Sequence, residues 1–272
     1  MIKNGWLADM TWREAEEAFR LTDVAIIPVG SNETHGPHNP LGTDTFTATE
    51  VAKRIGEKSE VIVTPTIPIG WSPYQMDFPG SITFSRQTLE TIIEEMCEAL
   101  MKWGIKRFIF LSGHGGNLDS METVGLNLRR KYGVMCVVPR WFRAEIDEAI
   151  PELCAIFPFH DHGGQKETSL NLAINPNRVR MDLYKPANVG RKLSDKIYLR
   201  NGMEFGKGSI GGRFYIGDMS EQGFLEPEKY PASEASGEKG ERYLEILTDY
   251  LAEFVKEFKK LELLPKDRYN KK

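Results

Sequence analysis

At 272 residues, 40% apolar and 27% charged, the chain has the composition of an ordinary soluble globular protein, long enough for one large α/β core or two small ones. A formal net charge of −4 and a pI near 5.9, with no basic patch, exclude the electrostatic footprint of a nucleic-acid binder. No apolar run approaches the ~20 residues of a membrane span, Met1 to Trp6 lacks a signal-peptide core, and three dispersed cysteines fit neither a disulfide framework nor a thiolate zinc site, so no membrane partner and a cytoplasmic location are expected.

Val24 to Gly30 is a short apolar run ending in glycine and reads as a buried strand. Asp44 to Gly56 reads as a helix, with Ala48, Val51, Ala52 and Ile55 on one face. Val61 to Thr64 is a second strand, followed by the turn-rich stretch Pro65 to Gly80. Arg86 to Trp103 is an amphipathic helix whose stripe is Leu89, Ile92, Ile93, Met96, Leu100 and Trp103. Phe108 to Leu111 is a third strand, Asn117 a candidate cap for a helix reaching Tyr132, and Val134 to Val138 a fourth strand. Residues 143–156 read as helical, and a further helix opens at Glu167 and stops near Pro176. Residues 182–230 are glycine-rich and irregular, with a strand or hairpin expected around Phe214 to Ile216. The last helix, from about Ser233 to Lys260, carries Leu244, Leu247, Leu251, Phe254 and Phe258 on one face, and Lys266 to Lys272 reads as a frayed, solvated tail. Strands alternating with helices imply an α/β fold with a mainly parallel sheet covered on both faces, in a single domain spanning 1–272. Ligands of such sheets bind at the carboxyl ends of the strands.

All five histidines fall in three clusters beside those strand ends. The first holds Glu33, His35 and His38, with Asp44 following. Glu33 and His35 lie two residues apart, so an extended segment projects them to one side. Asp44 at a helix start could bridge two ions or serve only as an N-cap. Carboxylate and imidazole donors together suit Zn²⁺, Mn²⁺ or Fe²⁺. The second cluster is Ser112-Gly113-His114-Gly115-Gly116-Asn117. His114 is a candidate ligand there, and Gly115 belongs to a turn that lets backbone amides approach a bound molecule. The third is His160-Asp161-His162-Gly163-Gly164-Gln165-Lys166-Glu167. Glu167, at a helix start, is either a ligand or a cap. His160, Asp161 and His162 offer an acid or base beside the metals, and the glycines after His162 let it turn inward. Asp161 is also a candidate substrate contact. Trp71 to Gly80 has the composition of a substrate-contacting loop, with Ser72 and Gln75 as its polar candidates. His38 and His160 carry no assigned role.

The motifs, in this order, resemble the creatinine amidohydrolase (creatininase) family. Pro28 to Leu41 with Thr43-Asp44 is similar to its first signature. Phe78-Pro79-Gly80, Ser112 to Asn117, His162 to Ser169, Ile216-Gly217-Asp218 and Ala235 to Glu241 are similar to later ones. The resemblance spans residues 24–250. It implies a three-layer α/β/α sandwich, two divalent ions, hydrolysis of a cyclic or linear amide, and homo-oligomers, often hexamers. By motif it implies Glu33, His35, Asp44 and His114 as ligands, with Asp44 bridging. Creatininase itself carries a ligand glutamate two residues after the histidine matching His114. Here that position is Gly116, as in other branches, where the glutamate matching Glu167 can complete the site. Gln75, where many members carry histidine, and the insert from Asn188 to Lys207 are further departures. Creatinine is therefore not the expected substrate.

The expected mechanism is a hydroxide shared by two ions attacking the C–N amide bond of a small molecule, with His162 shuttling a proton to the leaving amine and Glu167 beside it. One alternative is a hydrolase opening a cyclic polyol ketone ring at a C–C bond, of the 3-dehydro-scyllo-inosose type. The other is a metal-dependent binding protein without turnover.

Overall fold

The computed structural model describes residues 5–142, 144–187, 190–200, 202–206 and 208–264. The ends of the 188–207 insert, the first residue of the 143–156 helix and the basic tail lie outside them. In chain order the elements are α1 (Trp12–Leu21), β1 (Val24–Val29), α2 (Thr43–Ser59), β2 (Ile62–Val63), α3 (Arg86–Met101), β3 (Arg107–Ser112), α4 (Leu118–Tyr132), β4 (Met135–Val137), α5 (Ala144–Ala149), α6 (Pro151–Ile156) and α7 (Gln165–Ile174). They continue with β5 (Arg191–Lys192), β6 (Ile197–Leu199), β7 (Met203–Phe205), β8 (Gly208–Gly211), α8 (Ile216–Met219) and α9 (Gly237–Lys260).

The central sheet is parallel, in the order β2-β1-β3-β4, with Val24 opposite Arg107 and Val29 opposite Ser112. Every residue of β1 and β3 is buried. This matches the apolar runs Val24 to Val29 and Phe108 to Leu111, because a parallel sheet with both faces covered has no solvent side. Alternate residues serve opposite faces. Val24, Ile26, Ile109 and Leu111 pack with α2, α7 and α9, while Ala25, Ile27, Phe108 and Phe110 pack with α1, α3 and α4. The architecture is a three-layer α/β/α sandwich. The shared register ends β1 and β3 at the same level, so the loops carrying the first two histidine clusters emerge side by side at the carboxyl edge. Among the described residues, no helix is long and apolar enough to cross a membrane.

Several sequence expectations change. The 143–156 segment is two helices, broken where Pro151 starts α6 with its fixed φ. Phe214 to Ile216 is not a strand, because Ile216 opens α8 and Asp218 accepts the Tyr215 N–H as a cap. The strands lie just upstream instead. β5 to β8 form an antiparallel four-stranded meander, stitched to α8 by Leu199, Ile216 and Met219. α9 begins later than expected, where the Ser236 side chain accepts the Lys239 N–H. Trp103 lies past the end of α3, is 59% exposed and stacks on Phe19, so it is not part of the buried stripe. Phe254, 36% exposed, also leaves its stripe and stacks on Phe258.

Candidate metal centre

The loop after β1 is pinned on both sides. Glu33 N–H donates to Leu41 O, Ile82 N–H to Asn32 O, and the Asn32 amide to Gly80 O, which gives the Phe78-Pro79-Gly80 motif its structural use. Within it Glu33 and His35 are fully buried. Asp44 sits in the first turn of α2, where the helix dipole favours a carboxylate. His114 reaches the same point because Gly113 passes against the start of α2: a Cβ there would lie 2.1 Å from Asp44 O. Glu167 projects from the first turn of α7, with Oε2 accepting the Gly163 N–H at 2.6 Å.

These side chains converge. His35 Nε2 lies 3.1 Å from Asp44 Oδ1 and 3.4 Å from Glu167 Oε2. His114 Nδ1 lies 3.1 Å from Glu33 Oε1 and 3.3 Å from Asp44 Oδ2. His162 Nδ1 is 3.9 Å from Glu33 Oε1. Donor atoms within 4.8 Å of one another form three triads among the described residues: Glu33/Asp44/His114, His35/Asp44/Glu167 and Glu33/His35/His162.

The outer nitrogen of each imidazole is already engaged. His35 Nδ1 faces Glu33 O at 3.1 Å and His162 Nε2 faces Thr34 O at 2.8 Å. A carbonyl accepts only, so both are N–H donors there and, in the neutral rings, turn a lone pair inward. His114 Nε2 pairs with Tyr74 Oη at 2.8 Å. Asp44 Oδ2 is buried without a hydrogen bond of acceptable geometry, despite its approach to His114. Lone pairs facing carboxylate oxygens at 3 Å repel unless a cation or a proton lies between them. The donor set and the orphaned oxygen therefore fit divalent metal.

The charges agree. Burial opposes charge on His35, but Asp44, Glu167 and Glu33 outweigh it and raise its pKa to about 10; the field that retains a proton there attracts a cation equally. Burial pushes the Asp44 carboxyl up, yet His35 and His114 hold it well below the usual carboxylate range. Burial, with Asp44 and Glu33 nearby, raises Glu167 against the pull of His35. Burial and then His35 lower His162 to about 4, below the near-neutral value expected of a shuttle.

The remaining sequence candidates divide. The centre opens into a cavity of about 540 Å³ whose lining includes Gln75, Gly115 and Asp161. Gln75 Nε2 stands 3.4 Å from Glu33 Oε1, and its Oε1 is buried without a partner. Asp161 Oδ2 accepts the Lys166 N–H at 3.0 Å and so ties down the start of α7. Ser72 does not line the cavity: it is fully buried, its Oγ 3.1 Å from the Ser31 Oγ that donates to Glu33 Oε2. His160 reaches the cavity rim. His38 is buried away from the centre, with Nε2 near Thr168 Oγ1 and its ring edge-on to Phe224 and Tyr184, a packing role. Asn117 does not cap α4. Its side chain ties three loops instead, donating to Gly30 O and Ser112 Oγ and accepting the Trp71 N–H.

Tyr74, Phe142 and Arg213 also line the cavity and are absent from the sequence candidates. Tyr74 sits in the aromatic loop singled out above, and only its contact with His114 distinguishes it there. Gly116 has no room for a side chain, since a Cβ at that position would fall 2.4 Å from Trp71 O, 2.5 Å from His114 Nε2 and 2.7 Å from Tyr74 Oη. Glu167 supplies a carboxylate to the centre from the other side.

Comparison with known proteins places the chain among hydrolases of one family. The chain is 31% identical over 168 residues to a mycofactocin precursor peptide peptidase of Mycolicibacterium smegmatis, a stretch covering 60% of this chain and 62% of that protein. It is 30% identical over 199 residues to creatinine amidohydrolase of Pseudomonas putida, covering 67% and 76% respectively. It is 26% identical over 263 residues to 3-dehydro-scyllo-inosose hydrolase of Thermotoga maritima, covering 91% and 81%. Solved creatininase structures include a Mn form and a Zn-Zn form of a variant. They match with TM-scores of 0.73 and 0.75 at 25% identity, covering 95% of this chain and all of theirs. The family model described as "Creatininase: Creatinine amidohydrolase" matches residues 8–255. The chain belongs to the creatininase family.

Proposed function

We propose that this protein is a metal-dependent amidohydrolase that cleaves a cyclic or linear C–N amide bond of a small molecule, using two divalent ions held by Glu33, His35, Asp44, His114 and Glu167. One observation carries the reading. The two oxygens of Asp44 face different histidines, His35 through Oδ1 and His114 through Oδ2, so one carboxylate serves two donor triads. Such ions, when bound, supply a water acidic enough to attack at neutral pH and a Lewis acid for the scissile carbonyl. Zinc, manganese and ferrous iron all accept this mixture of imidazole and carboxylate.

The chain's own residues account for the rest. His162 is held by the Thr34 carbonyl with Nδ1 directed toward Glu33, and its lowered pKa keeps it neutral near pH 7. It accepts a proton at Nδ1 and returns it to the departing amine. Glu167, anchored on the Gly163 N–H, stands next to that path. Gln75 places its side-chain amide between Glu33 and His162 on the cavity wall, 3.4 Å from Glu33 Oε1 and 3.2 Å from His162 Nε2. Gly115 and Asp161 lie on the cavity wall beside His114 and Glu167.

Chelation abolishes hydrolysis in this reading, and Mn²⁺ or Zn²⁺ restores it. A chain that hydrolyses amides at full rate after exhaustive removal of metal contradicts it. A second reading, cleavage of a C–C bond in a cyclic polyol ketone, is supported by the inosose hydrolase relative, whose alignment runs along nearly the whole chain. A panel pairing small amides with inosose-type ketones separates the two.

A further inference from the structure

The cavity above the metal centre is lined by the carboxylates Glu33, Asp44, Asp161 and Glu167, and Arg213 is its one Lys or Arg side chain among the described residues. Arg213 follows β8 and rests on an aromatic platform. Its guanidinium carbon lies 5.0 Å from the Trp71 ring centre and 5.4 Å from that of Tyr74. Trp71 also carries the Arg86 guanidinium carbon, at 3.9 Å, and such cation–π contacts hold a guanidinium near a ring without using its in-plane N–H groups. The neighbouring carboxylate is Asp119 Oδ2 at 3.8 Å, an oxygen that Arg86 holds more closely at 3.1 Å. Arg213, its side chain 51% exposed, thus has a fork of donors and, among the described residues, no acceptor at hydrogen-bonding distance. Two ring contacts, 5.4 Å to Tyr74 and 5.9 Å from Tyr74 to His114, join it to the metal centre.

We propose that Arg213 is the specificity-determining residue of this cavity and binds a carboxylate of the substrate, so that the preferred amides carry a carboxylate a few bonds from the scissile carbonyl, as N-acyl amino acids and short peptides with a free C-terminus do. This deepens, and rests on, the amidohydrolase reading. The planar fork matches a carboxylate in bidentate fashion. A single cation balances a monoanion, whereas a phosphate dianion calls for more positive charge than this wall holds. At ~3.5 Å per extended residue, a substrate of about one to three residues spans the path from Arg213 to the centre.

The test uses the metal-loaded enzyme with N-acetyl amino acids and N-acetyl dipeptides, each as free carboxylate and as carboxamide. The unaltered chain favours the carboxylate by at least ~10-fold in kcat/KM, chiefly through KM, the scale of one charge-assisted hydrogen-bonded pair. Arg213→Gln brings that ratio near unity, and Arg213→Lys restores part of it, because a point charge attracts without matching the fork. Calorimetric titration with the free amino-acid products reads the same contact without turnover, and Arg213→Gln weakens it by ~10-fold or more. Equal use of both members of each pair, or a preference unchanged in Arg213→Gln, overturns the role of Arg213 and leaves the amidohydrolase reading intact. No cleavage of any amide by the metal-loaded, unaltered chain overturns both.

Discussion

Tyr74 Oη lies 2.8 Å from His114 Nε2, and with the Trp71 carbonyl the two atoms occupy the space that a side chain at position 116 would need. The glycine and the tyrosine are therefore one arrangement. Tyr74 orients the imidazole from outside, in the position where creatininase resemblance would put a glutamate, and Glu167 brings its carboxylate to the centre from α7. Gly116→Glu is expected to displace Tyr74 rather than to add a ligand. Metal titration should show affinity falling by ~10- to 100-fold, the usual cost of losing a group that orients a ligand. Tyr74→Phe should lose a similar amount with its fold intact by circular dichroism. Unchanged affinity in both variants removes Tyr74 from the account.

The pKa of His35 gives a pH signature. Held at about 10 in the folded chain against an ordinary 6.5, His35 contributes stability to the metal-free protein that is complete below about 6.5 and is lost as pH rises through about 10. Metal has the opposite dependence, because it must displace that proton. Metal affinity is thus expected to rise with pH between about 6.5 and 10, with proton release on binding. Calorimetry in buffers of different ionisation enthalpy measures the release. Binding that takes up no proton change across this range contradicts the assignment of His35.

Beneath α7 lies a buried ion pair. Lys166 Nζ donates to Asp147 Oδ2 at 2.6 Å, Tyr243 Oη donates to Asp147 Oδ1 at 2.6 Å, and the Lys166 and Asp147 side chains are 4% and 3% exposed. Removing one partner strands the other charge. Asp147→Ala should cost ~3–5 kcal/mol, and Tyr243→Phe about 0.5–1.5 kcal/mol, the scale of one hydrogen bond. Denaturant unfolding of the metal-free chain reads both. Because Lys166 precedes Glu167, Asp147→Ala should also weaken metal binding.

Two histidines are expected to separate metal from chemistry. His114→Ala should lose metal by elemental analysis. His162→Ala should keep it and lose turnover by ~10²- to 10⁴-fold, the range for a positioned acid–base group. Full activity in His162→Ala dismisses it as the proton carrier.

Much of this was legible before the fold. β1 and β3 announce themselves as unbroken apolar runs because both faces of a parallel sheet are covered, and the histidine clusters follow them directly. Asp44 was legible as a carboxylate opening an amphipathic helix. The β5–β8 meander was not, since strands of two to four residues gain their stability from pairing and not from any pattern of their own. Arg213 was hidden for the same reason: its place on the cavity wall depends on that meander. Ser72 and His38 carry the right chemistry in the right loops, and only packing shows that both are buried and that neither lines the cavity.

The central claim is that Asp44 is shared by two cations. Metal content per chain, measured by elemental analysis after equilibration with Mn²⁺ or Zn²⁺ and removal of free ion, tests it directly for the unaltered chain and for Asp44→Asn. The account predicts two ions per chain in the first and loss of both, together with hydrolysis, in the second. An active chain with one ion, or an Asp44→Asn variant that retains two, contradicts it.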